Sequence, residues 1–327
     1  MSEAVRTLAT RRLIYACALW GLSFPAGKAL LMVQAAAAPG HSTWLYTAAG
    51  MTVRFALAAA IVFAILCLRG RLRGCTKNEV VQGVGVALFG GLGMLFQLDG
   101  LAHTDASTSA FLTQGSVIFI PLITALLTRS LPHRREVMAV VLVVIGVAVL
   151  AGFDGTRMSL GRGEMETLIA ALFFTGHILW LERPKFLSND ATRVSLIMFA
   201  GIAVLCLPLT WYHDPGLTQA VKSVSCLSAW WFLGILVGPC TLLAFLWMNR
   251  WQRHVTATTA GLIYCFEPVF ASVQALFLPG VFSGWAGLSY TNETLTTRLL
   301  IGGALILMGN LIIPKTSHNH ALNEHGV

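Results

Sequence analysis

The chain has 327 residues, of which 56% are hydrophobic and only 11% charged, with a mean hydropathy of +0.73. Soluble domains carry about 25% charged residues, so a water-bathed globular fold is excluded and lipid is the expected solvent. The net charge of +8 does not point to nucleic acid, because the basic residues form short clusters between apolar runs, where membrane topology explains them. The seven cysteines show no metal-ligand spacing and no CxxC pair, so neither a disulfide framework nor a metal or other cofactor is expected.

A helix crosses the hydrocarbon core with about 20 apolar residues. Helices are also the spanning element that leaves no backbone group unpaired against lipid. The first run, 13–33, follows Arg11 and Arg12 and precedes Ala35 to Ala38, as a signal peptide would. Its length, with Pro25 and Lys28 inside it, predicts a retained helix instead. Trp20 lies too deep for the interfacial belt, which with Phe24 makes it a candidate cavity stacker. Lys28 either snorkels to the headgroups or stands in a cavity, where it would meet a substrate carboxylate or pair with Glu267.

Run two, 46–68, holds Arg54 near one end, where snorkelling accounts for it. Run three, 80–98, carries Gln97, and Asp99 and Asp105 after it read as solvated loop acids. Run four, 107–128, carries Gln114 and Pro121. Gln97 and Gln114 are cavity hydrogen-bonders or helix-helix glue. Pro25 and Pro121 lack an N–H and free the carbonyls of Gly21 and Val117, or merely bend their helices for packing.

Run five is 137–153. Run six, 164–181, contains His177 near Phe173, Phe174 and Trp180; the histidine can line a cavity or pass protons, or simply make an interhelical hydrogen bond. Run seven is 192–212. Run eight, 229–248, opens on Trp230 and Trp231 as an interfacial belt. Run nine, 255–278, holds Tyr264, Glu267 and Pro268. The proline removes the helical partner of the Tyr264 carbonyl, and a carboxylate beside that break can bind a cation or carry a proton. Run ten is 295–313, and the tail 314–327 is expected to be disordered.

Of the 22 Lys and Arg, sixteen fall on one side of these ten runs and four on the other, with Lys28 and Arg54 inside them. An even number of spans with that bias puts both termini in the cytoplasm. Five spans per half is odd, so two similar halves must face opposite ways. A faint repeat supports this: Phe119-Ile120-Pro121 matches Phe266-Glu267-Pro268. The predicted architecture is an all-α polytopic membrane protein of ten transmembrane helices arranged as a 5+5 inverted repeat. Residues 1–12 form a cytoplasmic N-terminus, 13–153 and 164–313 the two five-helix halves, and 314–327 a cytoplasmic tail. In such repeats the site lies near the midplane, between the halves.

Trp20-Gly21-Leu22-Ser23-Phe24 with Lys28 resembles the first-helix signature of the drug/metabolite transporter superfamily, EamA type. Pro121 and Glu267-Pro268-Val269-Phe270-Ala271 resemble its paired fourth and ninth helices, and Glu293-Thr294-Leu295 its entry to the last helix. The likeness runs from residue 11 to 314. It implies a central cavity lined by helices one, three, four, six, eight and nine, with five and ten outward, and a role in exporting amino acids or other metabolites. One departure is the loop 279–294, longer than the family pattern.

No P-loop, HExxH or GxSxG motif stands in a fitting context. The functional expectation is therefore a secondary transporter of the inner (plasma) membrane, not an enzyme. It would move a small-molecule solute, an amino acid or similar amphiphile, outward by alternating access. Substrate binding is assigned to Trp20, Phe24, Lys28, Gln97, Gln114, His177, Trp180, Tyr264 and Glu267, coupling to Glu267 and His177, and helix breaks to Pro25, Pro121 and Pro268. Energy is left to the solute gradient or to a coupled proton or other ion. Membrane lipid is a partner, nucleic acid is not, and monomer and homodimer both fit. The competing readings are a membrane-embedded enzyme acting on a lipid-like substrate and a non-transporting sensor. Short basic loops argue against the first, and the lack of a soluble domain against the second.

Overall fold

The computed structural model describes residues 3–116, 119–120, 122–123, 126, 134–150, 152, 160–181, 183–255 and 263–312. Pro121 and most of the second half of run four, residues 256–262 of run nine and the tail lie outside these residues. The long helices are α1 Glu3–Ala37, α2 Thr43–Leu68, α3 Lys77–Leu101, then the short α4 Ala106–Thr113 and α5 Arg134–Leu150. The second half contributes α6 Arg162–Leu181, α7 Ala191–His213, the short α8 Thr218–Val224 and α9 Leu227–Ile235. After α9 come a π-helical stretch Leu236–Leu243, α10 Ala244–Trp251, α11 Glu267–Ala275, α12 Leu278–Ala286 and α13 Thr297–Ile312.

Among the described residues six helical stretches are long and apolar enough to cross a membrane, and a seventh if α11 and α12, bent by 54°, count as one span. Val137–Leu150 and Thr297–Gly309 are shorter apolar helices. The chain is a multi-pass membrane protein. Large side chains left on its surface, such as Trp231 at 67% and Val204 at 68% exposure, suit a lipid solvent, in which an outward apolar face costs nothing.

Packing follows small residues. On α3 the glycines admit the facing side chains of α6 and α7: a Cβ at Gly93 would lie 2.8 Å from the Phe174 ring, and one at Gly83 2.6 Å from Ile197. The α5 and α13 helices meet backbone to backbone, Gly146 against the Gly302 carbonyl. Small residues allow such close approach where lipid offers no hydrophobic drive. The α1 helix packs on α9, α10 and α11, and α2 on α7.

Each end of the bundle is fastened by polar groups. At the Arg-rich end Thr76 and Glu79 form a reciprocal cap on α3, Thr76 N–H donating to Glu79 Oε2 at 2.7 Å and Glu79 N–H to Thr76 Oγ1 at 3.2 Å. Arg193 donates to the carbonyls of Arg71 and Gly74, both at 2.9 Å, and Arg71 pairs with Asp190. At the opposite end Asp99 is fully buried and ion-paired to Arg162, which also holds Glu166 Oε1 at 2.8 Å. The expectation that Asp99 is a solvated loop acid is therefore corrected: α3 runs on to Leu101 and carries the carboxylate inside. The stretch 279–294, expected as a loop, begins instead within α12, whose first turn holds Pro279, where its missing N–H costs nothing.

Candidate functional site

Proline and a π-turn build the site. Pro25 lies inside α1, which nonetheless continues from Glu3 to Ala37. Its neighbour Gly21 lets α11 approach so closely that a Cβ there would sit 2.8 Å from the Ala271 nitrogen. Pro268 stands in the first turn of α11, which begins after a break at Cys265 and Phe266. That start sets Glu267 at a helix N-terminus, where the backbone dipole favours negative charge. On the facing side Pro239 lies within the π-helical stretch, where Thr241 Oγ1 donates to the Leu236 carbonyl at 2.7 Å. Such π-bulges recur at functional sites.

Residues of α1 and Glu267 at the start of α11 line a cavity of about 210 Å³, and the π-helical stretch touches it through Arg54, which bonds Thr241. Drug-sized ligand sites run to about 300–1,000 Å³, so this one suits a small metabolite. From α1 come Trp20, Ser23 and Phe24; from α2, Met51 and Arg54; from α3, Met94, Gln97 and Leu98. Gln114 and Thr113 close it at the end of α4, Phe174 and His177 come from α6, and Phe245, Met248, Tyr264 and Glu267 from the last part of the chain. Trp20 stands edge-on to two rings, Phe245 at 5.3 Å and Tyr264 at 5.8 Å between centroids. Tyr264 is oriented by its hydroxyl, which donates to Gln252 Oε1 at 2.9 Å. Gln97 Nε2 donates to Thr113 Oγ1 at 2.9 Å, joining α3 to α4.

Several polar groups on this wall are unspent. Trp20 Nε1 and His177 Nδ1 are buried and have no hydrogen-bond partner among the described residues. His177 rests on Gly90 of α3, where a Cβ would come within 2.6 Å of Nδ1. Glu267 lines the cavity, and none of the ion pairs among the described residues involves it. Buried polar atoms are normally paired, so Trp20 Nε1 and His177 Nδ1 stand out on this wall beside the Glu267 carboxyl.

Seven of the nine candidate substrate-binding residues, Trp20, Phe24, Gln97, Gln114, His177, Tyr264 and Glu267, thus share one cavity. Two do not. Lys28 points to the other end of α1, donates from Nζ to the Thr104 carbonyl at 2.6 Å, and lines a second cavity of about 380 Å³ with Asp105, Tyr290 and Glu293. It makes no pair with Glu267. Trp180 packs on Phe89 and Phe186, donates from Nε1 to the Gln82 carbonyl at 3.3 Å, and carries the Arg183 guanidinium 4.3 Å from its ring. It lies one turn beyond His177, on the face of α6 that fills the notch at Gly85. Pro121 lies outside the described residues.

Arg54 was missed. Its side chain does not snorkel: it is 9% exposed, lines the cavity and donates from Nε to Thr241 Oγ1 at 2.8 Å. The signal available was depth, since eleven residues of helix separate it from Thr43, about 16 Å at 1.5 Å per residue.

Residues 12–152 match the EamA-like transporter family. The chain is 26% identical over 295 residues to an uncharacterized transporter of Archaeoglobus fulgidus, covering 90% of this chain and 82% of the relative. A solved crystal structure shares the fold, with a TM-score of 0.55 and 19% identity over 94% of this chain and 96% of its own. The EamA resemblance read from the sequence is borne out by the first two matches.

Proposed function

We propose, from a chain whose first half belongs to the EamA-like transporter family, that this protein is a secondary transporter of a small metabolite. The solute is an amino acid or similar amphiphile, carried outward across the inner membrane with both termini in the cytoplasm. The observation that carries the reading is the cavity itself. Its wall combines edge-to-face aromatics with the carboxyl group of Glu267 and with Trp20 Nε1 and His177 Nδ1, which have no hydrogen-bond partner among the described residues. An apolar pocket with a few convergent polar groups is the usual form of a small-molecule site.

Alternating access follows from how the cavity is divided. Helices α1 to α4 supply one wall, and α6, α10 and α11 the other, so rocking one set against the other opens the site to either side. Helix pairing supports a ten-helix inverted repeat: α3 packs on α6 much as α1 packs on the helix around Pro239, and α5 and α13, the last of each half, pack on one another. Glu267 and His177 are the coupling residues, because a carboxylate and an imidazole facing the solute can each exchange a proton as it binds and leaves.

The test is transport. Purified protein in vesicles is offered a metabolite mixture, and solutes that cross are identified by mass spectrometry. Glu267→Gln and His177→Ala are expected to slow transport at least tenfold while the protein still folds. Full rates in both variants would remove these residues from the mechanism.

A further inference from the structure

Resting on the transporter reading above, we infer that Arg54 recognises the solute's carboxylate and that Thr241 is its positioning residue. Arg54 is deep within α2 and nine-tenths buried. One of its five N–H groups, Nε–H, donates to Thr241 Oγ1. That oxygen is held as an acceptor because its own proton goes to the Leu236 carbonyl, five residues back along the π-turn. The guanidinium carbon lies 5.2 Å from the Phe55 ring centroid, which confines it further. The fork is therefore aimed, and its remaining N–H groups have no carboxylate among the described residues: none of the four ion pairs there includes Arg54.

A purely structural role does not account for the charge. A cation inside the membrane is costly, roughly 2.5–3.5 kcal/mol on insertion scales. Holding Thr241 alone would need no guanidinium, since an apolar side chain of similar volume often replaces a buried charge without loss. Glu267 lines the same cavity, but the two do not form an ion pair. A guanidinium and a carboxyl group thus face one small space. A solute carboxylate fits the guanidinium fork with two parallel hydrogen bonds, while an ammonium on the same solute faces Glu267. Lys28, the cation suggested by the sequence, is spent on Thr104 in the other cavity.

The experiment uses full-length protein in detergent and a panel of common amino acids, each paired with its carboxamide. Thermal stabilisation reads binding, and vesicle uptake reads transport. At least one acid is expected to stabilise the wild-type protein while its amide does not. Arg54→Gln is expected to weaken that acid about tenfold to a hundredfold and leave the amide unchanged. Arg54→Lys should keep part of the preference. Thr241→Val should weaken the acid alone, which a general packing defect would not do, and it carries the test if Arg54→Gln does not fold. Equal binding of acid and amide by the wild-type protein, no binding of any acid, or an unchanged preference in Arg54→Gln would each overturn the assignment. Acid-selective binding with no vesicle transport would sink the transporter reading and leave Arg54 in place.

Discussion

Gly21→Ala and Gly234→Ala are the same chemical change in helices of the same protein, and opposite outcomes are expected. A methyl at Gly21 would stand 2.8 Å from the Ala271 nitrogen and 2.9 Å from Phe270 Cβ, with the Phe270 carbonyl carbon at 3.1 Å. Comfortable contacts are about 3.5–4.0 Å, so α1 and α11 must separate by something on the order of 0.7–1 Å. Two of the opposing atoms are backbone, and no rotamer change relieves them. Overpacking of this kind costs about 1–3 kcal/mol, against a gain of roughly 1 kcal/mol for replacing helical glycine by alanine. Gly234 in α9 has nothing within 4 Å among the described residues, so only the gain applies. The two variants should differ by about 1–3 kcal/mol, Gly21→Ala being the less stable. The assay is the apparent melting temperature of purified protein in one detergent, paired with vesicle transport. Gly21→Ala should also slow transport, because its neighbour Trp20 forms the cavity wall; Gly234→Ala should not. Equal melting temperatures for the two variants would refute the close approach of α1 and α11.

Three further outcomes are expected. Glu293 accepts from Ala106 N–H at 2.6 Å and Ser107 N–H at 3.2 Å, capping α4 from the segment before α13; Glu293→Ala should cost about 0.5–2 kcal/mol, seen as a lower melting temperature, and an unchanged one would discard this clasp. Asp190 is subject to burial, which raises its carboxyl, but the N–H groups of Thr192 and Arg193 and the charges of Arg71 and Arg193 outweigh it and hold the group below the usual carboxylate range. A carboxyl lowered in the folded state adds stability above its unfolded value of about 3.9 and loses it as pH falls through the folded one. Asp190→Asn should therefore melt earlier at pH 7 and converge with the wild-type protein in strongly acid buffer, whereas a gap independent of pH would contradict the linkage. Reporter enzymes fused at each terminus should both report the cytoplasm; opposite sides would demand an odd number of spans.

The sequence was most legible where chemistry is local. Apolar length marked the membrane helices, and Trp20, Phe24, Gln97, Gln114, His177, Tyr264 and Glu267 do meet in one cavity. Legibility failed where a partner is distant. Arg54 depends on Thr241, 187 residues away, and nothing near it in sequence announces a π-turn. Trp180 shares a face of α6 with His177, but it lies one turn farther along and fills the notch at Gly85 of α3, whereas His177 rests on Gly90 beside the cavity. Asp99 lay just past the expected end of run three, and its partner Arg162 is 63 residues on. Two signals were readable and went unread: Thr76 and Glu79 have the spacing of a capping box, and Pro279 that of a helix start.

The central claim is that the cavity around Trp20, His177 and Glu267 carries a small solute across the membrane. Its most direct test is solute flux in vesicles containing wild-type protein, Glu267→Gln protein or none. At least one small metabolite should cross only with the wild-type protein and be slowed at least tenfold by Glu267→Gln. Flux equal to that of empty vesicles for every solute, or an undiminished rate in Glu267→Gln, would contradict it.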